Sequence, residues 1–176
     1  MIFETPRLII RLLRKEDILP FHEMQTDPEV MKYTGTPAKS RKENEEDLDY
    51  VISCYSIAHN DFWIWAVERK TDHAFIGTCA IVKTEVGQFG KQEDELGLRL
   101  LRKHWGNGYG KELIPAMLDY AFRKMNITEI IAEVDQRNMG SVKILEPFMT
   151  FEKAYFNEKD KTNDNLYRAR RKDDAC

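Results

Sequence analysis

The sequence predicts a mixed α/β fold of the α+β kind, with a central, twisted, mostly antiparallel sheet flanked by helices. Three observations carry that expectation. Between Phe62 and Leu101, runs rich in aromatic and β-branched residues are separated by polar turn-formers, the pattern of an antiparallel meander. A glycine-punctuated segment, Gly106-Asn107-Gly108-Tyr109-Gly110, then opens a helical pattern with Tyr109, Leu113, Met117, Ala121 and Phe122 on one face. Beyond it the chain alternates β run, helix and β runs. The whole order is strand, two or three helices, three strands, helix, strand, helix, strands, which suits a mixed sheet rather than a doubly wound one.

Leu8 to Leu13 is aliphatic apart from Arg11 and follows Pro6, which favours a strand. Asp17 is placed to cap a helix running to about Gln25, with Leu19, Phe21 and Met24 as apolar anchors, and Asp27-Pro28 reads as the cap and first turn of another short helix. Tyr33 to Pro37 reads as loop. Ser40 to His59 forms a long helical stretch on which Leu48, Val51, Ile52 and Tyr55 recur at helical spacing. Glu43, Glu45, Glu46, Asp47 and Asp49 make it acidic, either as a solvated face or as a rim that draws a cationic amine.

Phe62–Val67 and Ala74–Lys83 flank the turn Lys70-Thr71-Asp72-His73 as a hairpin, and a polar loop from Val86 to Asp94 leads to the run Glu95–Leu101. After the helix beginning near Gly108 come a β run at Glu129–Asp135, a helix near Asn138–Leu145, and two weaker strand candidates, Phe151–Phe156 and Leu166–Arg170. Pro115 removes a hydrogen bond close to the first turn of its helix and makes a kink plausible there. Pro147 disfavours helix at Glu146 and predicts an early end or a kink. The basic run Arg168, Arg170, Arg171 and Lys172 reads as solvated edge residues or a frayed tail.

With 176 residues, no repeats, no linker and no composition shift, the chain reads as a single domain over 1–176, long enough to enclose a site. Apolar residues at 42% and charged residues at 32% exclude a disordered chain and a membrane protein. The N-terminus carries Glu4 where a secretory signal needs a basic start and an apolar stretch, so a cytoplasmic location is expected. Cys54, Cys79 and Cys176 are far apart and His22, His59 and His73 lack partners at metal spacing, so no metal is assigned. A net charge of -3 argues against nucleic acid as a partner.

The glycine segment carries the functional signal. Alternate glycines let the backbone turn tightly and bring N–H groups to a ligand, and the start of the following helix adds unpaired N–H groups and part of a positive charge, a combination that binds phosphate. Lys103 and Lys111 lie beside it. A Walker loop ending in Gly110-Lys111 would need Gly at 105 and Ser or Thr at 112, where the chain has Trp105 and Glu112. A dinucleotide fingerprint would need Gly or Ala at 111 and a leading βαβ unit, and has neither. A flexible loop without ligand is the plainer alternative.

The segment Lys103-His104-Trp105-Gly106-Asn107-Gly108 resembles the coenzyme A pyrophosphate loop Q/R-x-x-G-x-G/A of the GNAT superfamily of N-acetyltransferases, with Lys for Gln or Arg. Glu95-Leu96-Gly97-Leu98-Arg99-Leu100-Leu101 with Trp105-Gly106-Asn107-Gly108-Tyr109 is similar to the RimJ/RimL type. So are Thr5-Pro6-Arg7-Leu8-Ile9-Ile10-Arg11, Asp27-Pro28-Glu29-Val30-Met31 and Asn138-Met139-Gly140-Ser141. The resemblance implies a GNAT fold, splayed between its fourth and fifth strands, and acetyl transfer from acetyl-CoA to a primary amine by direct attack in a ternary complex.

It also implies site roles. Lys103, Gly106, Asn107, Gly108, Tyr109, Gly110 and Lys111 would hold the pyrophosphate. Pantetheine would lie along the backbone of Leu98, Arg99 and Leu100, and Asn138 would meet its amides. Glu95, starting the fourth strand, would be the base, with Glu133 and Asp135 as second choices, and Ser141 would give the thiolate its proton. The plainer readings are a sheet-end acid for Glu95, a turn residue for Asp135 and a helix-opening residue for Ser141.

The family's usual K-x-G-F after this helix is replaced by Glu146-Pro147-Phe148-Met149, and the Tyr that many members place seven residues after the Asn is Leu145 here. A catalytically weak acetyl-CoA-binding sensor or interaction domain is therefore the alternative, with a nicotinamide-dependent oxidoreductase disfavoured. The acceptor could be a protein or peptide α-amine, favoured by analogy, a polyamine, or a small-molecule amine. A homodimer stays open.

Overall fold

The structure is a computed structural model and describes residues 1–86 and 90–172, so part of the loop from Val86 to Asp94, and Cys176, lie outside the described residues. Its strands are β1 (Phe3–Glu4), β2 (Leu8–Leu12), β3 (Phe62–Arg69), β4 (Phe75–Lys83), β5 (Asp94–Leu100), β6 (Glu129–Asp135), β7 (Thr150–Asn157) and β8 (Thr162–Arg170). The helices are α1 (Ile18–Thr26), α2 (Pro28–Met31), α3 (Arg41–Cys54), α4 (Tyr109–Lys124) and α5 (Met139–Leu145). The short β1 precedes the strands read from sequence, so the expected fourth and fifth strands are β5 and β6. The sheet is mixed and antiparallel except for the β5–β6 pair, as the resemblance implies.

The chain divides into two compact units, Met1–Val82 with Gly97–Tyr109, and Lys83–Leu96 with Gly110–Cys176. In the first, the strand order is β1-β2-β3-β4-β5. β2 runs antiparallel to β3 from Leu8↔Arg69 to Leu12↔Trp65, and β3 to β4 from Phe62↔Val82 to Glu68↔Phe75. The Leu101 amide donates to the Ile76 carbonyl at 2.9 Å. β4 and β5 approach so closely at Gly77 that an added Cβ would overlap the Arg99 carbonyl oxygen and lie 2.8 Å from Leu100 Cα, which is why glycine is required there.

Leu13, Phe21, Met24, Leu48, Val51, Ala66, Phe75 and Leu101 form the core of this unit. They come from the apolar faces of α1 and α3, from β3 and β4, and from the residues that follow β2 and β5, so the stripe on α3 read from sequence is its buried face. The acidic residues of α3 point outward, where Arg41–Glu45 and Lys42–Glu46 pair at (i, i+4) spacing and Lys39 holds Asp47. Ser40 and Glu43 close a capping box at its start. α3 ends at Cys54 rather than His59. Ser56, Ile57 and His59 are exposed and His59 adopts φ 57°, a conformation that no helix continues.

Asp17 does not cap α1 through its side chain. The carboxylate instead accepts from the Arg14 amide at 2.9 Å and from Arg11 at 2.7 and 2.8 Å. Arg11 also donates to Glu68 at 2.6 Å, so two buried acids satisfy one guanidinium. Asp27 does cap α2, accepting from the Glu29 amide.

In the second unit the order is β5-β6-β8-β7. β5 meets β6 in parallel at Glu95↔Ile131, while β6–β8 and β8–β7 are long antiparallel ladders. Lying between β6 and β7, β8 is not an edge, and this overturns the solvated reading of Arg168. That residue is 7% exposed and donates to Glu93 at 3.1 Å, to Glu129 at 3.2 Å and to Glu152. α4 runs through Pro115 as one helix, and α5 stops at Leu145, ahead of a turn containing Pro147.

Candidate active site

Arg102–His104 forms a single 3-10 turn after β5, and the backbone then passes through Gly106 (φ 76°) and Gly108 (φ 78°) into α4. Both glycines adopt left-handed geometry that a β-carbon penalises, which accounts for their alternation. The loop is held from within and from below. Asn107 Nδ2 donates to the carbonyls of His104 and Trp105 at 3.0 and 3.1 Å, and the Trp105 indole N–H donates to the Leu100 carbonyl at 2.8 Å. Arg7 donates to the Asn107 carbonyl at 3.0 Å and stacks over the Tyr109 ring at 4.7 Å.

With this scaffold in place, no acceptor among the described residues takes the amides of Gly106, Asn107 or Gly108. The first amides of α4 lack intrahelical partners by construction. Nothing lies within 4 Å of where a Cβ on Gly106 would stand. These residues fit a pyrophosphate: donors are presented, space is open, and the helix end favours negative charge. Lys103 is exposed and pairs with Glu23 at 2.9 Å, and Lys111 is exposed on the first turn of α4. His104 is half-buried. Burial, then Arg69 and Lys103, hold its pKa below the ordinary value, so it is a neutral member of the loop at physiological pH.

The expected catalytic residues lie in the second unit. Glu95 stands half-buried where β5 meets β6. Burial lifts its pKa to about 7, and the nearby Glu133 pushes the same way against Lys159 and a Glu133 backbone hydrogen bond. Burial also raises Glu133, whose carboxylate accepts from the Tyr155 hydroxyl at 2.6 Å. Tyr155 is raised in turn by burial and by Glu133, so it stays protonated. Sequence reasoning missed Tyr155, because only the β6–β8–β7 ladder brings it across to Glu133. Asp135 is a turn residue: its carboxylate accepts from the Arg137 amide at 2.8 Å and pairs with the Arg137 guanidinium.

Asn138 caps α5, accepting from the Ser141 amide at 3.1 Å. The Ser141 hydroxyl finds no partner among the described residues. In the sequence Arg7 stands out only as part of the Thr5-Pro6-Arg7-Leu8 motif. Its role in holding the Asn107 carbonyl rests on residues 100 positions apart in the chain.

A family model for the acetyltransferase (GNAT) domain matches residues 7–148. The chain belongs to this family and is an acetyl-CoA-dependent N-acetyltransferase. It is 30% identical over 143 residues to the uncharacterized N-acetyltransferase p20 of Bacillus licheniformis, covering 80% of this chain and 77% of that protein. Among solved structures it superposes on RimL, a ribosomal L7/L12 alpha-N-protein acetyltransferase in complex with coenzyme A. The TM-score is 0.79 at 14% identity, over 96% of this chain and 97% of the other. It also superposes on spermidine N-acetyltransferase from Vibrio cholerae in complex with CoA and spermine, with TM-score 0.75 at 21% identity over 93% and 95% of the two chains. At these identities the superpositions show the fold.

Proposed function

We propose that acetyl-CoA is held by the loop amides of residues 106–111 and by the backbone of Leu98–Leu100, with Asn138 contributing to pantetheine, and that a primary amine attacks it directly. The observation that carries this reading is the set of loop amides at Gly106, Asn107 and Gly108. Among the described residues they are left without acceptors, while Arg7, Asn107 and Trp105 lock the loop around them. Such preorganised donors bind phosphate without a reorganisation cost.

Glu95 takes the base role. An acid titrating near 7 is ionised enough at neutral pH to accept a proton and basic enough to take it from an ammonium. In the transfer step the amine nitrogen bonds to the acetyl carbon as the carbon–sulfur bond breaks. The nitrogen's proton passes to Glu95, and the sulfur leaves with a proton from the Ser141 hydroxyl, which is restored from solvent. A backbone N–H along β5 stabilises the developing oxyanion. The test is calorimetric titration of the protein with acetyl-CoA, followed by CoA-thiol release against a panel of amines. Absence of acetyl-CoA binding would remove the loop from the reading, and binding without turnover of any amine would favour a sensor.

A further inference from the structure

Among the described residues, the buried and half-buried arginines are satisfied by acids, with one exception. Arg11 has Asp17 and Glu68; Arg168 has Glu93, Glu129 and Glu152. Arg99, on β5, donates only to the neutral side-chain carbonyl of Gln25 on α1, and no carboxylate among the described residues lies within ion-pair distance. A guanidinium carries five N–H donors, so most of its capacity is unspent in a half-buried position. Burial alone depresses its pKa, the sign of a cation desolvated without compensation.

Arg99 lines a cavity of about 180 Å³ with Gln25, Met31, Thr36, Pro37, Lys39, Asn44 and Asp47. Lys39 and Asp47 neutralise one another, leaving the cavity with one net positive charge, that of Arg99. Asn44 is fully buried. Its Nδ2 donates to the Lys39 carbonyl and to His22 Nδ1, and its Oδ1 has no partner among the described residues. The wall thus offers unspent guanidinium donors and one unspent amide acceptor, and its free charge repels a polyamine.

We propose that this cavity receives the free carboxylate of the acceptor, so that the enzyme acetylates a small amino-acid-type amine and discriminates against polyamines. The inference rests on the reading that acetyl-CoA lies along the backbone of Leu98–Leu100, because that places the cavity one arginine side chain from the reacting thioester. The volume is below the 300–1,000 Å³ of drug-sized sites, which suits a carboxylate and a few carbons rather than a folded partner.

The test compares proteinogenic amino acids with their methyl esters, and with spermidine, by CoA-thiol release. Acids should exceed their esters in kcat/KM by at least roughly tenfold, the scale of a charge-assisted hydrogen bond in a desolvated site. Arg99→Gln should bring that ratio near one by raising KM for the acid, and Arg99→Lys should keep part of it. Gln25→Glu, which supplies the missing carboxylate internally, should also erase the preference with Arg99 intact. Melting curves check that each variant folds.

Esters or spermidine used as well as the acids would overturn the proposal. So would an Arg99→Gln loss that falls on KM for acetyl-CoA, which would assign the cavity to a CoA phosphate. A binding arm needs no turnover: N-acetyl amino acids should show saturation-transfer NMR contacts that the matching N-acetyl amino amides lack. Acetyl-CoA binding with no acid preference in either arm sinks this inference and leaves the acetyl-CoA reading standing. Failure of acetyl-CoA binding sinks that reading, and the NMR arm still decides this one.

Discussion

Replacing Glu95 by Gln separates the cost of a buried acid from its use. The folded carboxyl titrates at about 7 against an ordinary value of 4.5. Below the unfolded value both states are protonated, and the residue contributes its full stability. As pH rises through the folded value that contribution is lost, because the unfolded chain ionises more readily than the native one. At 1.36 kcal/mol per pH unit the gap is worth about 3 kcal/mol, an upper figure for a half-buried group that water partly reaches. Glu95→Gln keeps the shape and removes the ionisation, so at about pH 9 the variant should be more stable than wild type by about 1–3 kcal/mol, with little gain near pH 4.

Urea denaturation followed by tryptophan fluorescence at both pH values measures the difference directly. With a verified acceptor, the same variant should lose about two to four orders of magnitude in rate. It should also lose the limb of the profile that rises through about 7 in wild type. Equal stability differences at the two pH values, or a variant less stable at high pH, would refute the argument that burial and Glu133 hold this proton.

Three further outcomes follow from the geometry. Gly108→Val forces a branched residue to φ 78° and crowds the phosphate donors, so the Kd for acetyl-CoA should rise at least roughly tenfold in calorimetry. Arg7→Ala removes the grip on the Asn107 carbonyl and the stack on Tyr109, and should weaken acetyl-CoA binding by roughly three- to tenfold. Gly77→Ala drives a methyl into the Arg99 carbonyl across β4 and β5 and should destabilise the fold by about 2–3 kcal/mol in chemical denaturation.

Much was settled by local chemistry. The alternation of Gly106 and Gly108, the apolar face running from Tyr109 to Ala121, the hairpin around Asp72 and the cap at Asp27 each depend on residues within a turn or two of one another, so sequence alone determined them. Arg168, Glu95 and Arg99 were decided only by the tertiary structure. From sequence Arg168 reads as a solvated edge residue or part of a frayed tail; β8 lies between β6 and β7, where three acids converge on it. Glu95 acquires its raised pKa from burial and from Glu133, which lies 38 positions further along the chain and comes near only because β5 pairs with β6. Whether an arginine is paired depends on acids anywhere in the chain. For Arg99 that outcome, a cation facing a small cavity with no carboxylate among the described residues within ion-pair distance of it, is a property of packing that no local pattern records.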